Sequence, residues 1–237
     1  MKKLIYATLL LVLAAPSLWA GNRELETVAA AVDVVQIMSA NPLKCIPPAM
    51  LHDARGVAVI SHVVKAGVLF DRRFGRGVLL VHQPDGSWSD PVFVTLEGGG
   101  VGLQAGIEAT DLVLVFKTEA SLSRILNGKG RLTLGADATI AAGPVGRELE
   151  AAPHLFRKAD VYSYSHSRGL FAGLSLEGDR LRVDGAAIES FYHIKGGHPT
   201  EVLTRRGAPI AIEVQHLKEH LIRIDPPVAP PAVIIHR

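Results

Sequence analysis

Two histidines four residues apart, His216 and His220, are the arrangement in this sequence that most resembles a metal site. On a helix they match the reversed zinc-protease pattern, in which two imidazoles bind zinc beside a general-base glutamate, here Glu219. A zinc site needs a third ligand, and Asp225 is the only acid in the seventeen residues after His220. We therefore predict a solvated helix face and no metal.

A glycine-rich stretch runs from Gly98 to Gly106 behind a strand-like apolar segment. Such glycines can cradle a phosphate, but a dinucleotide site also needs a helix whose N-terminus faces that phosphate. The next strand-like segment starts only about five residues later, which leaves no room for the helix. We predict sharp turning and close backbone approach, with no nucleotide and no cofactor.

Hydroxyl groups stand beside an imidazole between Tyr162 and Ser167. Neighbouring residues of a strand point to opposite faces, so Ser165 and His166 could not act together as nucleophile and base. The segment around Ser175 has one residue too many for a nucleophile elbow. We predict a protein that is not an enzyme, and a hydrolase using Ser165 or Ser175 remains the less favoured alternative.

A basic cluster offers different chemistry. Lys65, Arg72, Arg73 and Arg76 lie in a segment whose only nearby acid is Asp71, and residues 67–70 add apolar surface. Each basic residue near an anionic leaflet contributes about 1 kcal/mol of binding free energy. The pattern favours binding to anionic phospholipid, and the alternative is a set of ordinary solvated charges around a turn.

The N-terminus has the layout of a secretory signal: Lys2 and Lys3, an apolar run from residue 4 to 15, and small residues up to Ala20. Cleavage there would leave 23 basic and 23 acidic residues, a balance that argues against nucleic acid as a partner. The single Cys45 cannot form an internal disulfide, so the fold must depend on its core. We expect a periplasmic or otherwise exported protein, peripheral to a membrane.

The elements that would hold these residues follow from periodicity. Apolar residues at helical spacing predict a helix over residues 23–40 with Asn22 as its cap, and Thr118 is placed to cap a short helix over 119–126. Four β-prone runs, 57–60, 78–82, 92–96 and 112–116, are separated by turn residues and not by helices. The predicted fold class is α+β: a mainly antiparallel sheet of several short strands, packed by an N-terminal helix and a few short helices.

Three segments are expected along the chain. Residues 1–20 form the signal peptide, 21–204 one domain, and 205–237 a C-terminal extension with a short helix over 212–222 and a proline-rich tail.

Several of these features occur together in one family. Their residues are Lys65-Ala66-Gly67, Gly75-Arg76-Gly77, Asp85-Gly86-Ser87-Trp88-Ser89, Pro91, Gly143-Pro144-Val145-Gly146-Arg147, and the run from Tyr164 to Gly178. This ordered set resembles the SYLF domain family over roughly residues 28–203. The resemblance implies lipid binding, since eukaryotic members bind phosphoinositides through basic residues and an N-terminal amphipathic helix, and some bind actin.

The combined interpretation is a non-enzymatic phospholipid-binding domain of the bacterial cell envelope. Lipid head groups would be contacted by basic residues of the strand-turn region and of the last motif: Lys65, Arg72, Arg73, Arg76 and Arg168. For Arg168 the alternative role is to pair with a buried carboxylate. The alternative for the whole protein is an envelope scaffold that binds a protein partner through its C-terminal extension.

Overall fold

The computed structural model describes residues 16–40, 45–67, 70–101, 106–127, 130–145, 159–167, 176–205 and 210–225. These residues form one eight-stranded sheet and six helices, which confirms the predicted α+β class. The helices are α1 (Pro16–Ala40), α2 (Pro48–His52), α3 (Glu119–Leu126), α4 (Gly185–Tyr192), α5 (Pro199–Thr204) and α6 (Ile212–Ile224). The strands are β1 (Gly56–Gly67), β2 (Phe70–Val81), β3 (Val92–Val101), β4 (Gly106–Phe116), β5 (Arg131–Thr133), β6 (Ile140–Ala142), β7 (Val161–Ser167) and β8 (Arg180–Val183).

Helix α1 begins at Pro16, seven residues before the predicted start, so Asn22 lies inside the helix and does not cap it. Proline suits a first helical turn because its φ angle is already helical. Val28, Val32 and Val35 recur on one side and are buried against β1, β2 and α6. The apolar side of α1 is therefore buried in the protein core. Residues 1–15 of the predicted signal peptide, and the tail from residue 226, lie outside the described residues.

The sheet runs in the order β5-β8-β3-β2-β1-β4-β7-β6. Each pair is antiparallel except β6 with β7, as the short turn-separated runs predicted. The first four strands are longer than those runs because backbone pairing continues beyond them, in β2 and β3 through segments that contain several glycines. The two edge strands follow each other along the chain and are joined by a turn with a bridge from Leu134 to Ala138.

A bulge interrupts β1 at His62, whose φ is 51°. The buried carboxylate of Asp111 on β4 accepts a hydrogen bond from the His62 backbone N–H at 2.9 Å, and this contact holds the bulge in place. One extra residue re-aims the side chains that follow it. As a result Val64 pairs with Phe74 of β2.

The two faces of the sheet are distinguished along β2. We call the face that carries Arg73, Gly75 and Gly77 the inner face. On the neighbouring strands β3, β8 and β5 this face continues at Leu96, Leu181 and Leu132, each of which is 0% exposed. The outer face carries Arg72, Phe74 and Arg76, and beyond Arg76, towards Val78, this face is buried beneath α1 and α6. Side chains alternate between faces along a strand, so neighbouring residues of the basic cluster necessarily separate.

The predicted helix cap is confirmed, and a turn between β2 and β3 is held by local hydrogen bonds. Thr118 accepts a hydrogen bond from the Ser121 N–H and caps α3 over the predicted residues. Asp85 accepts from the Ser87 N–H at 3.0 Å, and Gly86 takes a φ of 81° in the predicted turn. Trp88 after that turn is 2% exposed and stacks on His82, so it is part of the core. No helix within the described ranges is long and apolar enough to cross a membrane.

Candidate functional site

The predicted basic residues lie on the β1–β2 hairpin but not on one surface. Lys65 and Arg73 are cross-strand partners and share the inner face, whereas Arg72 and Arg76 belong to the outer face. Arg72 is exposed, Arg76 is half-buried and Arg73 is 8% exposed. Arg168 lies outside the described residues. The structure therefore brings two of the five residues to a common outward surface.

Arg73 forms a buried ion pair. Its Nη1 donates to Asp179 Oδ2 at 3.0 Å, and the side chains are 7% and 0% exposed. The neighbouring strand makes room for the pair, since a Cβ atom at Gly98 would overlap the Asp179 carboxylate. Removing one partner of such a pair leaves an uncompensated buried charge, which costs about 3–5 kcal/mol. Arg73 therefore anchors the segment around Asp179 to the sheet.

The outer face carries an apolar pair at the end of the hairpin. Val64 and Phe74 lie opposite each other on β1 and β2 and are 41% and 45% exposed. Among the described residues only four large hydrophobic side chains are exposed to this degree, and these two are in contact register. Because the two side chains are adjacent, they form a small continuous apolar surface instead of two isolated exposed residues.

Arginines extend this surface towards the β5 edge. Arg72 flanks Phe74 on β2, and Arg180, Arg182 and Arg131 occupy outward positions on β8 and β5, all of them exposed. From β1 to β5 the surface crosses four strand spacings, about 19 Å. Glu97 is the only acid at the described outer positions of β3, β8 and β5, and its carboxylate lies 3.8 Å from the Arg182 guanidinium. We call Val64, Phe74 and these four arginines the outer patch.

A shallow cleft of about 660 Å³ opens within the outer patch. Arg72, Phe74 and Arg180 line it together with Glu97 and the glycines at positions 98, 99 and 178. The glycines bring bare backbone to the surface beside the arginines, and the one carboxylate of the cleft, Glu97, is paired with Arg182. The arrangement suits a phosphate group at a protein surface.

Sequence reasoning missed most of the outer patch. Arg180 and Arg182 alternate with the buried Leu181, a period-two signal that points both arginines to one face. Their pairing with β3 and β5 is long-range, and it could not be read from the local pattern.

The catalytic and metal alternatives find no support in the described residues. Ser165 and His166 are consecutive residues of β7, and Ser175 lies outside the described ranges. Gly98 to Gly100 lie within β3, and the next described element is the strand β4, which begins at Gly106. His220 contacts Gln36 on α1, with 2.8 Å between Nε2 and Nε2, and no cluster of three or more His, Cys, Asp or Glu suited to a metal occurs in the part of the chain that the structure describes.

Comparison with known proteins identifies the family. The family described as "Ysc84: Las17-binding protein actin regulator" matches residues 97–224, which is more than half of the chain. The chain belongs to this family. The match confirms the SYLF resemblance, and it extends through α6.

The relatives come from animals and yeast. SH3 domain-containing YSC84-like protein 1 of Xenopus laevis is 46% identical over 151 residues, which are 64% of this chain and 44% of the relative. The Homo sapiens protein of that name is 43% identical over 161 residues, 68% of this chain and 46% of the relative. Protein YSC84 of Saccharomyces cerevisiae is 40% identical over 149 residues, 62% and 31%. The chain thus spans less than half the length of these relatives, and no solved structure matches it.

These comparisons contradict the predicted localisation. The relatives are eukaryotic proteins, and eukaryotic cells have neither a periplasm nor a bacterial envelope. The prediction of a periplasmic or otherwise exported protein of the cell envelope is therefore wrong. It depended on one short apolar run behind two lysines, a pattern of composition that carries no information about the domain that follows.

Proposed function

We propose that this SYLF domain is a non-enzymatic module that binds anionic phospholipid surfaces through the outer patch. The observation that carries the proposal is the exposed Val64–Phe74 pair beside a row of outward arginines on the same sheet face. The two kinds of group supply the two attractions that hold a peripheral protein to a membrane: apolar contact with the acyl boundary and charge attraction to head groups.

The apolar pair would provide the anchor. Phe74 stands where the hairpin presents its outer face, and burial of an exposed aromatic side chain stabilises by about 1.5–3 kcal/mol when the burial is complete. That contribution is independent of ionic strength. It therefore separates the anchor from the arginines in an experiment.

The arginines would provide the charge attraction. Each basic residue near an anionic leaflet contributes about 1 kcal/mol, and screening by salt weakens that contribution. Of the residues predicted from the sequence, Arg72 lies in the patch and Arg76 lies beside it. Lys65 and Arg168 stay predictions, and the ion pair with Asp179 gives Arg73 a structural role instead.

The test is co-flotation of the full chain with vesicles of graded phosphatidylserine content, at low and high salt. We expect binding to rise with anionic lipid and to fall with salt. Arg72→Glu combined with Arg180→Glu should reduce vesicle affinity at least tenfold, because two attractions become repulsions. Phe74→Ser should weaken binding equally at both salt concentrations.

Arg223→Glu is the matched control. Arg223 is exposed on α6, whose last turn packs near Val57, at the end of β1 away from Val64. This variant should bind vesicles with an affinity close to that of the unmodified chain. If the Arg72 and Arg180 double variant bound as well as the control, the outer patch would not be the lipid surface.

A second candidate function is binding of a protein partner, and the family description favours it by naming a Las17-binding protein and actin regulator. The C-terminal helix predicted to present such a partner is α6, but its Val214, Leu217 and Leu221 are buried, and it packs on α1. Within the predicted C-terminal extension, the surfaces that remain for a protein partner are the exposed side of α6 and residues 226–237.

A further inference from the structure

A second cleft lies where α1 and α4 meet β2 and β3, and we call it the helix cleft. Its volume is about 330 Å³, in the range of small-ligand sites. Charged side chains on its wall are Arg23 and Glu24 of α1, Arg76 of β2 and Asp184, which caps α4. Phe93 and Val94 of β3 supply an apolar wall. None of the functions discussed above uses this cleft.

Glu24 makes the cleft unusual. The residue is only 8% exposed, and its Oε2 is buried without a hydrogen-bond partner in the described part of the chain. The side chain is held in place because α1 buries Val28 and Ala31, one and two turns further along. A buried carboxylate without a partner is costly, so a cationic group placed in the cleft would be stabilised by it.

Arg76 presents the opposite charge. Its Nε is also buried without a hydrogen-bond partner among the described residues, and Arg23 stands exposed beside the same cleft. Guanidinium groups bind tetrahedral oxyanions through directed N–H donors, and two of them suit a phosphate. The Arg76 guanidinium carbon lies 5.7 Å from the Phe74 ring centroid, so this residue connects the helix cleft to the outer patch.

The charged side chains on the wall of the helix cleft sum to a net charge of zero. Two carboxylates, Glu24 and Asp184, face two guanidinium groups, Arg23 and Arg76. Asp184 Oδ1 accepts from the Ala187 N–H at 3.1 Å, which fixes that carboxylate at the start of α4. A ligand of one sign would leave the other sign uncompensated, whereas a zwitterion compensates both.

We infer that the helix cleft binds a compact zwitterion of the phosphoethanolamine type, with its primary ammonium towards Glu24 and its phosphate towards Arg76 and Arg23. Such a group exists both as a free solute and as the head group of phosphatidylethanolamine. The inference does not depend on the outer patch, because free phosphoethanolamine would bind the helix cleft whether or not the outer patch binds lipid.

Calorimetric titration of the full chain with O-phosphoethanolamine tests the inference. We expect saturable binding, and at least tenfold weaker binding of inorganic phosphate alone and of ethanolamine alone. Glu24→Gln should weaken O-phosphoethanolamine binding at least tenfold. Arg76→Lys, which keeps the charge but loses the Nε donor, should also weaken it. The matched control is Glu26→Gln, an exposed acid of the same helix, which should bind as the unmodified chain does.

Two results would overturn the inference: absence of saturable O-phosphoethanolamine binding by the unmodified chain, or equal binding by Glu24→Gln and Glu26→Gln. Thermal unfolding of each variant establishes that it is folded. Should Glu24→Gln fail to fold, the comparison of Arg76→Lys with the control decides in the same way.

Vesicles then distinguish the two sources. If the ligand is a head group, phosphatidylethanolamine in neutral vesicles will increase co-flotation of the unmodified chain but not of Glu24→Gln. If phosphatidylethanolamine has no effect while calorimetry shows binding, the ligand is the free solute. Failure to bind anionic vesicles would refute the proposed function and leave the calorimetric result unchanged.

Discussion

At the scale of single residues, environment decides what a charge does. Arg72 and Arg73 are adjacent and chemically identical, yet one is exposed on the outer face and the other is paired with Asp179 in the interior. Gly98 is part of the same arrangement, because any side chain there would displace the carboxylate. A basic cluster in a strand therefore overstates the number of residues available to a ligand, since every second one faces the other side.

The ion pair makes a measurable prediction. Asp179→Asn should lower the free energy of unfolding by about 3–5 kcal/mol, because the buried charge of Arg73 would lose the carboxylate that pairs with it. Replacing both residues by leucine should cost less than the single change. Urea unfolding of the variants measures both effects.

The exposed pair of Glu97 and Arg182 is the control, with side chains 46% and 55% exposed. Arg182→Gln should change the unfolding free energy by less than about 1 kcal/mol, since solvent screens exposed pairs. A loss for Asp179→Asn as small as that of the control would show that the buried pair is not what anchors the segment.

At the scale of elements, the family motifs mostly serve packing. A Cβ atom at Gly143 would overlap the ring of Tyr164, and one at Gly77 would overlap the backbone of β1 at Val59. The Pro91 carbonyl accepts a hydrogen bond from the Tyr192 hydroxyl at 2.8 Å, which secures α4 to the sheet. These motif residues are needed to bring the strands and helices together.

Asp160 joins three elements and makes the fold sensitive to acid. Its carboxylate accepts from the Thr139 hydroxyl at 2.7 Å, from the Thr139 N–H at 2.9 Å, and from the hydroxyl of Thr118, the cap of α3. These hydrogen bonds, those from Thr139 first, lower the pKa of Asp160. A carboxyl group with a lowered folded-state pKa stabilises above its unfolded pKa, and that stabilisation is lost as pH falls through the folded value.

Asp160→Asn should therefore reduce the unfolding free energy at neutral pH, by about 1–2 kcal/mol for the weakened hydrogen bonds. The difference from the unmodified chain should begin to shrink below about pH 4, where the carboxyl group of the unfolded chain is protonated, and should vanish as the pH falls through the lower folded-state pKa of Asp160. Glu219→Gln, an exposed change on α6, should show no such trend. Chemical unfolding across pH 3 to 7 measures it, and a difference that stays constant would rule out the role of Asp160.

At the scale of the whole molecule, the C-terminal helix packs against the N-terminal one. Helix α6 packs on α1 through Val214, Leu217 and Leu221, and the family match continues to residue 224. The first and last described helices thus pack against each other and cover the same part of the sheet. Lipid binding at the outer patch and partner binding after residue 225 would use separate parts of the protein.

That separation can be tested with one truncation. Deletion of residues 226–237 removes none of the described residues and should leave vesicle flotation and thermal stability unchanged. If a protein partner binds through residues 226–237, the truncated chain should lose capture of a purified Las17-type partner, whereas retained capture would assign that partner to the exposed side of α6. Loss of flotation on truncation would contradict the assignment of lipid binding to the outer patch.

The sequence by itself determined the local features of this protein. Capping of α3 by Thr118 and the turn at Asp85 and Gly86 follow from interactions within a few residues of the chain, and the β-prone runs without helices between them indicated antiparallel pairing. Only the tertiary structure decided which charges are available. The register of β2 against β1 and β3, the bulge at His62 and the position of α1 over Arg76 are long-range, and these contacts bury Arg73, expose Phe74 and place Glu24 at the cleft.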